Sequence, residues 1–270
     1  MIDEGYQLQA DVIAIAKEAG EAIMQIYSTD FSYEMKSDNS PLTEADIAAH
    51  DIIVARLQKL TPDIPILSEE SDEIDVGLRL SWQKYWLIDP LDGTREFLKR
   101  NGEFTVNIAL ISQHESIMGV VYAPVTGLTY YASKGEGAYK QMATAPSERI
   151  YTRSLDHKKI TIAGSRSHSD EKFQKFMQRI EATKLTELEL IRLGSSLKIC
   201  LVAEGGADVY PRLGPTYEWD TAAAHCVLKE AGGDIVDEYG TTLRYNTKSS
   251  LLNPHFFATA DISQQWATFL

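Results

Sequence analysis

The 270-residue sequence predicts a layered α/β protein with an α+β first half (residues 1–150) and an α/β second half (residues 151–270). Three observations carry this expectation. Apolar residues recur at helical spacing up to Leu60, then gather into strand-length runs separated by turns, and from Ile160 onward strand-like and helix-like segments alternate.

From Leu8, the positions Val12, Ile15, Ala19, Ile23 and Ile26 recur at three and four, which predicts an amphipathic helix ending at Ser28-Thr29-Asp30. Thr43, followed three residues later by Asp46, opens a second helix that Thr61-Pro62 stops. Its inward line is Ala49, Ile53, Leu57 and Leu60. Continued backward, that line puts the carboxylate of Asp46 at the start of a buried stripe. Strands are expected over 65–68, 85–88, 104–111, 117–122, 128–132 and 137–140, in a meander. The polar stretch 147–159 marks the boundary between the halves. Beyond it come a strand at 160–163, a helix over 170–182, a strand at 187–191 and a helix over 195–204 closed by Gly205-Gly206. A strand at 207–210, a helix over 219–231 and a strand at 234–236 complete the alternation.

At 44% hydrophobic and 24% charged the chain has ample material for a core and no signature of disorder. With 26 Lys+Arg against 39 Asp+Glu, its net charge of −13 disfavours nucleic acid and anionic lipid as partners. Cys200 and Cys226 lack metal or disulfide spacing and read as buried hydrophobes of a reducing compartment. Acidic Met1-Ile2-Asp3-Glu4 is unlike a signal peptide, and no apolar run approaches the ~18 residues of a spanning helix. A cytoplasmic location is expected, with no stable membrane anchor.

The most informative segment is Trp86-Leu87-Ile88-Asp89-Pro90-Leu91-Asp92-Gly93-Thr94. An apolar strand delivers two carboxylates three residues apart, with a proline stiffening the turn between them. Two hard oxygens and the intervening Leu91 carbonyl suit a divalent cation, and backbone N–H groups at Gly93 and Thr94 suit an anion beside it. A surface turn with Asp92 as helix N-cap is the alternative for this motif in isolation. Glu69-Glu70 at a strand end and Asp220 at a helix start add carboxylates able to converge with these and with Asp46.

Glu69-Glu70, Asp89-Pro90-Leu91-Asp92-Gly93-Thr94 and Trp219-Asp220-Thr221-Ala222-Ala223 resemble the signature of the inositol monophosphatase superfamily of Mg²⁺-dependent, lithium-sensitive phosphatases. The resemblance implies an αβαβα sandwich like that of inositol monophosphatase and fructose-1,6-bisphosphatase. It implies two or three Mg²⁺ held by Glu69, Asp89, the Leu91 carbonyl, Asp92 and Asp220. It also implies a catalytic water handled by Asp46 and Thr94, with Glu69 as a further proton acceptor, and a phosphate lying against Gly93, Thr94 and Asp220. Glu70 would be a neighbour of the ligands.

Substrate choice is expected in the second half. Lys198 stands where inositol phosphatases usually have a neutral residue, and Arg212 where they tend to carry an acid. With Ala163-Gly164-Ser165-Arg166-Ser167-His168, this pattern resembles the 3′(2′),5′-bisphosphate nucleotidases of the bacterial CysQ type. By that resemblance Ser195, Lys198 and Arg212 hold the nucleotide and its second phosphate, with His168 near the base or ribose. The implied reaction is hydrolysis of adenosine 3′,5′-bisphosphate to AMP and phosphate, which serves sulfur assimilation. Association with the inner membrane's cytoplasmic face is a further implication. An inositol or fructose bisphosphate phosphatase, and a non-catalytic nucleotide or metal sensor, are the alternatives. Bound Mg²⁺ would reverse the local effect of the acidic charge, so a small polyphosphorylated ligand is compatible with −13.

Overall fold

The computed structural model describes residues 4–30, 32–35, 41–72, 74–166, 171–183 and 187–270. Helix α1 (Glu4–Tyr27) leads to an antiparallel pair, β1 (Tyr33–Met35) and β2 (Pro41–Thr43), and then to α2 (Glu44–Leu60). Next come β3 (Ile66–Ser68), the short α3 (Val76–Leu80), β4 (Lys84–Asp92) and α4 (Thr94–Leu98). Strands β5 (Thr105–Ser112), β6 (Glu115–Ala123), β7 (Leu128–Ser133), β8 (Gly137–Met142) and β9 (Glu148–Ile150) complete a seven-stranded sheet in the order β3 to β9. The pairing from β4 to β8 is the expected meander, which β9 extends, but β3 joins β4 in parallel.

The second half contains β10 (Lys159–Ser165), α5 (Glu171–Ala182), β11 (Glu187–Leu193) and α6 (Leu197–Ala203). It continues with β12 (Val209–Arg212), α7 (Glu218–Glu230), β13 (Asp234–Asp237) and β14 (Phe256–Thr259). Its five strands lie in the order β11-β10-β12-β14-β13, with β10 parallel to β11 and β12, and β14 antiparallel to both neighbours. Strands β1, β2, β9 and β14 and helix α3 were not among the expected elements. All five are short, and β9 lies in the polar stretch read as a boundary.

Three apolar clusters define the layers. Val12, Ile15, Ala19 and Ile23 of α1 and Ala49, Ile53 and Leu57 of α2 pack on Trp86, Ile88, Val106 and Ile108 at one face of the large sheet. The other face, through Tyr85, Leu87, Ala109 and Val121, meets α6 and α7, which also cover the second sheet at Tyr210, Ile235 and Ala258. Phe173, Phe176 and Ile180 of α5 close the far side on Ile162, Val209 and Phe257. The result is an αβαβα sandwich with α6 and α7 in the middle. Because β4 is covered on both faces, Tyr85, Trp86, Leu87 and Ile88 are all apolar and buried where a one-sided strand would alternate. Each fully buried Ile or Leu stabilises the fold by roughly 2 kcal/mol. Cys200 and Cys226 are buried free thiols, as expected.

Candidate active site

Side chains three apart on a regular strand point to opposite faces, so Asp89 and Asp92 should diverge. In β4 they do not, because Asp89 pairs with Asn107 and Asp92 with Thr105, leaving one extra residue on β4 between the two pairs. That bulge, at Pro90-Leu91, restores parity and brings both carboxylates to one cavity. Proline fits there because it has no N–H to give the ladder. The expected turn is thus a bulged strand end. Gly93 follows with φ 94°, a left-handed conformation that favours glycine, and it rather than Asp92 is the N-cap of α4.

Parallel pairing of β3 with β4 brings the ends of both strands together, and Glu69 N–H donates to the Ile88 carbonyl at 3.1 Å. Asp46 and Asp220 arrive by a shared device. Each is the third residue of a long helix and closes a capping box: Asp46 Oδ2 accepts from Thr43 N–H at 2.8 Å, and Asp220 Oδ2 from Tyr217 N–H at 2.8 Å. Asp220, expected at a helix start, is the N3 residue of α7. In both, the helix start employs one oxygen and leaves Oδ1 toward other partners. Asp46 Oδ1 accepts from Thr94 Oγ1 at 3.4 Å, and the same hydroxyl lies 3.3 Å from the Leu91 carbonyl oxygen.

One oxygen each from Glu69, Asp89 and Asp220 lie within 4.8 Å of one another. Burial and the charges of Glu69, Asp92 and Asp220 drive the Asp89 carboxyl well above the usual range. Withdrawal from water, then Asp92 and Glu69, do the same to Asp220. Burial pushes Asp46 up to about 7 and Asp92 up to about 6, Lys198 partly opposing the latter. So many acids in one place need cations. Asp89 Oδ2 is buried with no hydrogen-bond partner, which is the vacancy a metal ligand would show. The donors are hard oxygens, and among the described residues the cluster contains neither imidazole nor thiolate, so they fit Mg²⁺ or a similar hard cation.

A cavity of about 340 Å³ connects these carboxylates to the β12 and α6 side of the site. Glu69, Asp89, Leu91, Asp92, Gly93, Thr94, Ser195, Lys198, Arg212 and Asp220 all line it. Lys198 is buried; its Nζ donates to the Ser195 carbonyl at 2.5 Å and lies 5.2 Å from the centre of the Tyr210 ring. Arg212 donates from Nη2 to the Pro215 carbonyl, while its Nε is buried without an acceptor. His168 lies outside the described residues. Arg166, an adjacent basic residue, is held bidentately by Glu103 at 2.8 and 2.6 Å.

Sequence reasoning missed Thr105, Asn107 and Ser196, which surround Asp92. Ser196 N–H donates to Asp92 Oδ2 at 2.6 Å, and Asn107 Nδ2 does so at 3.3 Å. The signal was present in Phe104-Thr105-Val106-Asn107-Ile108: two polar residues, two apart, on one face of an otherwise apolar strand.

The model of the inositol monophosphatase family matches residues 6–268. The chain belongs to the inositol monophosphatase family. The family is metal dependent, and Glu69, Asp89 and Asp220 form a carboxylate cluster with the spacing to hold a metal ion. Over 250 residues this family member is 49% identical to the 3′(2′),5′-bisphosphate nucleotidase CysQ of Salmonella typhimurium, covering 92% of this chain and 98% of that protein. It is likewise 49% identical to the nucleotidase of that name from Escherichia coli K12, covering 91% and 96%. The crystal structure of CysQ from Bacteroides thetaiotaomicron superimposes with a TM-score of 0.81 at 43% identity, covering 93% of this chain and 96% of the other.

Proposed function

We propose that this inositol monophosphatase family member is a Mg²⁺-dependent 3′(2′),5′-bisphosphate nucleotidase that converts adenosine 3′,5′-bisphosphate to AMP and phosphate. One observation carries the reading: the buried, unpartnered oxygen of Asp89 belongs to a carboxylate cluster in the same cavity as Lys198 and the unpartnered Nε of Arg212. A site with acids for metal and bases for a second phosphate suits a substrate with two phosphate groups. The names and identities of the CysQ relatives support the same substrate class.

Glu69, Asp89, the Leu91 carbonyl, Asp92 and Asp220 would hold two or three Mg²⁺, which supply charge to offset the phosphoryl oxygens and lower the pKa of water at the site. Asp46 and Thr94 orient the attacking water, Thr94 Oγ1 accepting from it while its own proton goes to Asp46 or Leu91. The water oxygen bonds to phosphorus as the bond from phosphorus to O3′ breaks. Asp46, whose Oδ1 already faces Thr94 Oγ1, takes the water's proton, with Glu69 as a second acceptor. The departing O3′ is protonated from solvent. Gly93 and Asp220 border the transferred phosphate, while Ser195, Lys198, Arg212 and His168 bind the rest of the nucleotide.

On this reading residues 1–150 form a unit carrying most metal ligands, and residues 151–270 one carrying the nucleotide contacts and the last ligand. A cytoplasmic role in sulfur assimilation follows, and no helix among the described residues is long and apolar enough to cross a membrane. Phosphate release from adenosine 3′,5′-bisphosphate, its sulfated relative, inositol 1-phosphate and fructose 1,6-bisphosphate, with Mg²⁺ and with chelator, tests the proposal. Mg²⁺-dependent release favouring the bisphosphate nucleotide is expected. Faster turnover of inositol 1-phosphate would overturn the substrate, and equal release in chelator the metal.

A further inference from the structure

Asp92 Oδ2 belongs to a buried hydrogen-bond set that the reaction above does not use. The β4 bulge sets Asn107 opposite Asp89 and Thr105 opposite Asp92 on the neighbouring strand β5. Asn107 Nδ2 donates to Asp92 Oδ2, and Asn107 Oδ1 lies 2.9 Å from Ser196 Oγ and 3.1 Å from Thr105 Oγ1. The two hydroxyls are 2.9 Å apart. The amide orientation is forced, because an ionised carboxylate only accepts and the hydroxyls hold the protons that Oδ1 needs. Asn107 therefore has one end on a metal-binding acid and the other on Ser196, which begins the turn into α6.

That turn is the substrate side of the cavity. Ser195, just before Ser196, has φ 48°, a left-handed backbone that a serine keeps only when its surroundings impose it. The flanking bonds do impose it: Ser196 N–H is fixed on Asp92, and Ser196 Oγ on Asn107. The carbonyl of Ser195 in turn receives Lys198 Nζ. A continuous chain of contacts thus runs from Asp92 through Asn107 and Ser196 to Ser195 and Lys198. Thr105, Asn107 and Ser196 are all buried, so water does not substitute readily for a lost member.

We propose that Asn107 is a positioning residue that couples the metal-binding carboxylate Asp92 to the substrate-binding turn at Ser195–Lys198. Metal that orders Asp92 orders the turn, and a nucleotide that orders the turn tightens the metal site, by the same factor in each direction. The identity of the two ligands rests on the phosphatase reading above. The coupling rests on the hydrogen bonds alone.

The test titrates Mg²⁺ into metal-free protein by calorimetry, without nucleotide and with AMP, the product, which is not turned over. Asn107→Ala should weaken Mg²⁺ binding about fivefold or more and cut the mutual enhancement of Mg²⁺ and AMP severalfold, the direct bond from Ser196 N–H to Asp92 preserving the remainder. Ser196→Ala should act in the same direction, and the double variant should lose less than the two single losses combined. Thr129→Val is the control: it removes a buried, unpartnered hydroxyl from the same sheet and should leave Mg²⁺ affinity unchanged. Wild-type Mg²⁺ affinity and coupling in folded Asn107→Ala, or fully additive losses with Ser196→Ala, would overturn the proposal. Should Asn107→Ala not fold, Thr105→Val asks the same question, with a smaller shift expected and no shift overturning it. Wild-type protein that binds Mg²⁺ but releases no phosphate from the bisphosphate would sink the phosphatase reading, while the Mg²⁺ titrations still decide the coupling.

Discussion

Thr94 Oγ1 stands 3.4 Å from Asp46 Oδ1, although the two residues lie on different helices, α4 and α2. Its single proton also faces the Leu91 carbonyl at 3.3 Å, so neither contact is tight and the hydroxyl is free to reorient. Thr94→Val keeps the shape and removes that hydroxyl. It should lower kcat about 100-fold with little change in KM, and Asp46→Asn should act similarly. Steady-state kinetics at saturating Mg²⁺ decides this: a near-native kcat in either variant removes the pair from water activation.

Asp92→Asn hardly changes volume, and one amide oxygen still accepts from Ser196 N–H and Asn107 Nδ2. The fold should therefore persist, while the lost negative charge weakens the metal site. Phosphate release at millimolar Mg²⁺ should be abolished, with a far-ultraviolet circular dichroism spectrum like that of the wild type. Near-native rates under those conditions would show that Asp92 is no ligand.

Metal-free protein should lose stability as pH rises through the acid range. Asp46 titrates near 3.8 when unfolded and about 7 when folded, and Asp92 near 3.8 and about 6. Between those values the folded state holds protons that the unfolded chain has released, so folding is favoured below the interval and disfavoured above it. In chelator, Tm should fall between about pH 5 and about pH 7.5, whereas saturating Mg²⁺, which binds the ionised acids, should flatten or reverse the trend. A chelated protein whose Tm rises over that interval would contradict the crowding of these carboxylates.

Lys198 is a buried ammonium held by the Ser195 carbonyl and the Tyr210 ring. If it binds the second phosphate, Lys198→Ala should lower kcat/KM for adenosine 3′,5′-bisphosphate by about tenfold or more. A phosphate monoester with no second phosphate should lose much less. Parallel kinetics on the two substrates gives the answer, and equal losses would assign Lys198 to shielding Asp92 instead.

Asp46 was legible because its capping box is local, Thr43 with Asp46 being a pattern of four residues, whereas Asp220 showed only as an acid at a helix start. Glu69 and Asp89 were legible as charges at the ends of apolar runs. Parity was not. Asp89 and Asp92 face one cavity only because β4 carries an extra residue relative to β5, a property of pairing between strands that neither strand displays alone. The role of Asn107 was hidden likewise, since Asp92 and Ser196 reach it from positions 15 and 89 residues away. Strand β14 escaped because four residues without polar alternation carry little periodic signal, and its register is set by β12 and β13 on either side.

The approach of α7 to the large sheet gives a last prediction, because Asp220 depends on where that helix sits. Gly119 of β6 lies against α7, where a Cβ would come 2.1 Å from the Ala223 carbonyl oxygen and 2.9 Å from its carbon. Those atoms are helix backbone, which has no rotamer to change, so Gly119→Ala must push α7 off the sheet. Overpacking of this kind costs about 1–3 kcal/mol, and the displaced first turn of α7 should also weaken Mg²⁺ binding. Gly77→Ala provides the contrast. Gly77 is exposed in α3, where the nearest atom is Asp75 Oδ1 at 3.2 Å, the capping oxygen held by Leu78 N–H; crowding of that cap offsets the gain of helix propensity, so the change should stay within about 1 kcal/mol of the wild type. Urea denaturation of both variants in chelator, with Mg²⁺ titration of Gly119→Ala, separates the cases. A Gly119→Ala protein as stable as Gly77→Ala would mean that α7 can shift freely, and that its seat on the sheet does not fix Asp220.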